Sequence, residues 1–249
     1  MIQNCDSKSG LDEFNLKTVV LDETLFRKHH KELVELTSSQ YYQKDPSSTG
    51  LSLEETVQYF DDEYKDLFAT DTTMVVTFLY LDKTTDELLG TFMFRDAYLN
   101  NEKYKIELKT MNAEAQLFDY FSKITQASES IFKKYDIKEK QCIYGTNLAM
   151  NPNLMKRVRS KGLKLIFTIF LDALDWACQN NWPFGIWTQF KESLIVSTQL
   201  VFTVKEALDF EFKAADFKTD VKGKLFLAMA GDKKQIEESR IKVETGKNF

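Results

Sequence analysis

The chain is poor in the residues from which many simple function classes are built. Its 249 residues include nine glycines, three prolines, three cysteines and two histidines. Nine glycines leave little room for a glycine-rich phosphate loop, and two histidines exclude a histidine-rich metal site. Cys5, Cys142 and Cys178 are odd in number, far apart and without a CxxC pair. They suit neither a disulfide framework nor a zinc site, and they fit a reducing compartment. The longest strongly apolar run free of charge, residues 165–171, has seven residues, whereas a membrane-spanning helix needs about 20. Residues 1–12 are polar, so no signal peptide is expected. A net charge of −5 argues against a surface made for nucleic acid. No G-x-S-x-G, Walker A or H-E-x-x-H motif occurs. The expectation from these absences is a cytoplasmic protein without a metal, nucleic-acid or membrane partner.

What is present is enough for a core. Hydrophobic residues make up 43% of the chain and phenylalanine alone supplies 20 positions. Patterning predicts strands over 14–21, 74–82, 88–96, 142–150, 184–190, 210–217 and 224–229. Helices are predicted over 22–36, 52–68, 112–135, 160–180 and 192–209. The polar turn 83–87 makes a hairpin of the second and third strands, and Ser52 with Glu55 forms a capping-box pattern. Mixed strands and helices at these spacings imply an α/β or α+β sheet covered by helices. The organisation expected is an extension over 1–13, one domain over 14–231 and a loose charged tail over 232–249.

Charge is distributed unevenly. Residues 140–171 contain no Asp or Glu over 32 positions, in a chain where 38 of 249 residues are acidic. Inside this window Lys156, Arg157, Arg159, Lys161 and Lys164 place five basic residues in nine, between a strand and an apolar helix. A helix N-terminus carries unpaired N–H groups and partial positive charge, so added Arg and Lys there suit an anion. The composition alone says that the segment binds an anion or forms a solvated basic face.

The strand 142–150, Asn151-Pro152, then Arg159-Ser-Lys-Gly162-Leu-Lys164 and a long apolar helix resemble the acetyl-CoA motif of the GNAT N-acetyltransferases. That pattern is Arg or Gln, two residues, Gly, one residue, then Gly or Ala; here the last small residue is Lys164, and nine residues separate Pro152 from Gly162. A second stretch, Tyr41-Tyr-Gln-Lys-Asp-Pro46, is similar to the arylalkylamine branch, especially its insect dopamine-acetylating members. The resemblance covers about residues 14–230. The resemblance implies a GNAT fold: a central mixed, mostly antiparallel sheet of about seven strands, splayed at the cofactor strand and flanked by helices.

It implies acetyl-CoA as cosubstrate, held by Leu148, Ala149, Met150, Arg157, Arg159, Ser160, Lys161, Gly162, Leu163 and Lys164. Backbone N–H groups there would wrap the pyrophosphate, and Gly162 would let the backbone approach it. It also implies a small primary amine, an arylalkylamine or polyamine, bound near Tyr41, Tyr42 and Pro46. Asp45 would act as general base, and Ser197, with Ser193 and Thr198 as alternatives, would return a proton to the leaving thiolate. Asp45 is equally an ordinary Asp-Pro turn residue. A cofactor-binding module acting through protein partners and a peptide N-acetyltransferase remain open readings, as do monomer and homodimer.

Overall fold

The computed structural model describes residues 10–44, 52–69, 71–110, 116–213 and 220–246. Seven strands form one sheet: β1 (Leu16–Val20), β2 (Met74–Asp82), β3 (Leu88–Asp96), β4 (Cys142–Met150), β5 (Phe184–Gln189), β6 (Val204–Lys213) and β7 (Asp220–Met229). Their order is β1-β2-β3-β4-β5-β7-β6, and every pairing is antiparallel except β4 with β5. The helices are α1 (Glu23–Lys44), α2 (Leu53–Ala69), α3 (Ala97–Thr110), α4 (Gln116–Tyr135), α5 (Pro152–Val158), α6 (Gly162–Gln179), α7 (Glu192–Val201) and α8 (Lys233–Thr245). This is the mixed, mostly antiparallel seven-stranded sheet expected, flanked by helices.

Strand alternation sorts the core into two layers. On β3, Phe92 and Phe94 join Phe167 and Phe170 of α6, whereas Met93 joins Leu33 of α1 and Phe60 and Tyr64 of α2. A further cluster packs Tyr120 and Ile124 of α4 against Tyr144, Ile186 and Leu227. The ends of the helices follow local chemistry. Asp22 accepts from the N–H of Leu25 at 2.7 Å. Ser52 and Glu55 exchange the two hydrogen bonds of a capping box, at 2.7 and 3.2 Å.

Four expectations change. The interval before β4 holds two helices, because α3 is polar on most sides and gives no apolar period. Pro152 occupies the first turn of α5, where its missing N–H costs nothing and Asn151 caps the N–H of Asn153. The helix expected over 192–209 ends at Val201, and β6 begins at Val204 because pairing with β7 overrides the helix-forming residues Glu206, Ala207 and Leu208. The tail is not loose along 233–245. It folds as α8, capped by Asp232, with Ile236 and Val243 buried against α6.

Candidate active site

β4 and β5 pair only from Cys142–Tyr144 against Phe184–Ile186. Beyond Tyr144 the two strands part, while β4 stays joined to β3 and β5 to β7. The gap opens into a cavity of about 560 Å³. Its floor is the stretch from Tyr144 to Ala149 with Trp187, Thr188 and Gln189 of β5. α1 and α2 contribute Tyr41, Tyr59 and Glu63, α3 and α4 contribute Tyr104 and Tyr120, and α6 contributes Ile166 and Phe170. Among the described residues Glu63 is the one acidic side chain lining it.

Glu63 is held from two sides. Arg95 of β3 donates to one carboxylate oxygen at 2.8 Å, and the Asn147 side-chain amide donates to the other at 2.9 Å. The Arg95 side chain, 5% exposed, also bonds Asp71 and donates to Thr73 Oγ1 at 2.8 Å. Burial pushes the Glu63 carboxyl above its ordinary pKa, against the pull of Arg95 and Asn147. Burial also acts on Asp71, but hydrogen bonds from Thr73 and the Arg95 charge outweigh it and hold Asp71 at about 2. Tyr59 faces the same charge, and Glu63 first, then loss of water, drives its phenol well above the usual value.

Asn147 reaches Glu63 because β4 is irregular there. Thr91 pairs with Ala149 and Met93 with Thr146, so Asn147 and Leu148 together oppose Phe92. This is a β-bulge, with Asn147 at φ 50°. Asparagine tolerates that left-handed conformation better than most residues. The bulge thus links the sheet to a carboxylate on α2.

The residues singled out from sequence divide sharply. Tyr41, Leu148 and Ala149 meet in the cavity. Tyr42 is exposed outside it, Met150 pairs with Gly90, and Ser197 is buried on α7 away from the lining. Asp45 and Pro46 lie outside the described residues. The basic segment is folded as α5, a 3-10 turn over Arg159–Lys161, and the start of α6. Arg157 donates to the Phe14 carbonyl at 3.2 Å and lies 3.7 Å from Asp82. Lys161 and Lys164 take one carboxylate oxygen each of Glu13, and Ser160, Gly162 and Leu163 do not line the cavity. Glu63, Arg95 and Asn147 were not anticipated. The available signal was a carboxylate at position 63 within the inward stripe Phe60, Tyr64, Leu67 of α2.

Among the described residues no group of three or more His, Cys, Asp or Glu could hold a metal ion, and no helix is long and apolar enough to cross a membrane. No protein-family model and no curated protein sequence matches the chain. Solved structures do. The chain is similar to the C-terminal condensation domain of Ebony in complex with beta-alanyl-dopamine, with TM-score 0.61 and 15% identity over 86% of this chain and 98% of that one. It is similar to a putative arylalkylamine N-acetyltransferase 7 of the yellow fever mosquito, with TM-score 0.59 and 10% identity over 86% of this chain and 87% of that one. It is also similar to the polyamine N-acetyltransferase of Drosophila melanogaster, with TM-score 0.52 and 12% identity over 85% and 98%. These structures do not single out an arylalkylamine acetyltransferase. At such identities the likeness concerns architecture, and the splayed sheet with its flanking helices has the GNAT acetyltransferase fold.

Proposed function

We infer that the protein transfers an acyl group, acetyl from acetyl-CoA in the first instance, to the nitrogen of a small primary amine. The observation that carries this reading is the cavity between the parted strands, with one carboxylate among the described residues, the half-buried Glu63, in its wall. The free edge of β4 beyond Tyr144 leaves backbone groups available to a thioester, as oxyanion stabilisation requires. Tyr41, Tyr59, Tyr104 and Tyr120 surround the other side. An aromatic wall with a single acid among the described residues favours an arylalkylamine over a polyamine, which carries several cations needing separate counter-charges.

The amine enters as an ammonium ion, and Glu63 accepts one of its protons. The nitrogen lone pair attacks the thioester carbonyl carbon, and the C–S bond breaks as the C–N bond is completed. The second proton leaves nitrogen and is taken up by the departing sulfur. A carboxylate whose pKa is raised by burial is a better proton acceptor than a surface one. Asp45 is the rival base, from the resemblance of its Asp-Pro segment.

The deciding experiment measures thiol release from acetyl-CoA with arylalkylamines, polyamines and short peptides, for Glu63→Gln and Asp45→Ala. Glu63→Gln should lower kcat/KM by about 100-fold or more, the usual worth of a general base, while Asp45→Ala stays close to the parent. The reverse order moves the base to Asp45. No thiol release with any amine would end the enzyme reading.

A further inference from the structure

The donor side of the site has two parts that differ. Along β4 the strand edge that would receive an acyl-thioester arm is open, and Leu148, Ala149 and Ile166 line the gap. Beyond Met150 the segment that would receive a nucleotide diphosphate is folded as helix and 3-10 turn. α5 occupies the interval, and its Met155 lies over Gly162, where a Cβ would come within 3.3 Å of Met155 Cε. The Gly162 N–H is bonded to the Arg159 carbonyl, and the Arg159 N–H to the Met155 carbonyl.

Three of the five cations are engaged as well. Glu13 takes Lys161 and Lys164, and Arg157 is turned toward Phe14 and Asp82. Lys164 precedes Ile166 by two residues, so it points roughly 200° around α6 from the face that lines the cavity. None of residues 152–164 lines the cavity. Lys156 and Arg159 are exposed.

We propose that the donor is recognised through its acyl-pantetheine arm alone, and that a nucleotide diphosphate contributes little to its binding. The donor class is an acyl thioester of pantetheine or phosphopantetheine, whether that arm belongs to free CoA or to a carrier protein. This rests on the acyl-transfer reading above and narrows its donor.

Two measurements test it on the full chain. Calorimetric titration compares CoA with pantetheine, and thiol release compares acetyl-CoA with acetyl-pantetheine and with an acyl carrier protein bearing acetyl-phosphopantetheine. The expected result is affinities within tenfold of each other, and kcat/KM for acetyl-pantetheine within tenfold of that for acetyl-CoA. A preference for the CoA form above tenfold in either measurement overturns the proposal, as does binding of neither at millimolar concentration. If affinities match but no amine is acylated by any donor, the acyl-transfer reading fails while the donor assignment stands. Within the proposal, a carrier-borne arm consumed at least as fast as acetyl-CoA identifies a carrier as the source, and slower consumption identifies free CoA.

Discussion

Two buried arginines in this molecule each hold two carboxylates, and they do different things with them. Arg95 joins Glu63 and Asp71 beneath the cavity, and Arg240 of α8 joins Asp172 and Asp175 of α6. In both places burial raises one acid: Glu63 in the first, and Asp172, up to about 7, in the second. In the first group every partner is at hydrogen-bond distance, and Glu63 has a further bond to Asn147 on the floor of the gap. In the second, Asp172 lies 3.5 Å from Arg240 and faces the charge of Asp175, and the group fastens α8 to the back of α6. A raised carboxylate pKa therefore does not mark a site by itself. What separates Glu63 is that its carboxylate borders open space while held from two directions.

The largest effect is expected at Arg95. Arg95→Met leaves two half-buried carboxylates without their cation, and equilibrium denaturation should show a loss of about 3–5 kcal/mol. Arg240→Met should lose less, because Asp172 there already takes up a proton near neutral pH.

The next effect is one of pH. The folded chain keeps the Asp172 proton up to about pH 7, and the unfolded chain releases it near pH 3.9. Its contribution to stability is therefore fullest below the unfolded pKa and is lost as pH rises toward 7. Asp172→Asn should remove that decline, which amounts to up to about 4 kcal/mol, and Tm measured from pH 4 to 8 reads it. Asp71 acts in the opposite sense: its pKa is depressed to about 2, so its contribution is lost as pH falls toward that value.

The smallest effect falls on Asn147. Asn147→Ala removes a hydrogen bond that favours the charged form of Glu63. It should lower kcat/KM by about tenfold, or ~1.4 kcal/mol, and move the acidic limb of the pH–rate profile upward. A structural loss alone would not shift that limb.

Much of the frame was legible because its strands are bounded clearly. β2, β3 and β4 match the expected intervals, since β-branched and aromatic runs end at polar turns. α5 was not legible, because Asn-Pro reads as a loop, although the same pair caps and opens a helix. α8 hid its two core contacts within a charged segment. At the site, the tyrosine and strand residues Tyr41, Leu148 and Ala149 were accessible from sequence. Arg95 and Asn147 were not, since each gains its role from elements distant along the chain: Arg95 from Glu63 on α2, and Asn147 from a bulge opposite Phe92.

That bulge has a consequence for which side chains the cavity sees. One added residue reverses the phase of a strand, so every later side chain changes face. Before it, Cys142 and Tyr144 face the α3–α4 layer and Ile143 faces α6; after it, Ala149 faces α1 and α2, and Met150 turns to the α6 layer. With an unbroken alternation, the even-numbered Met150 would stand where Ala149 now leaves room. The extra residue keeps a small methyl in the gap and sends the long thioether to the opposite core.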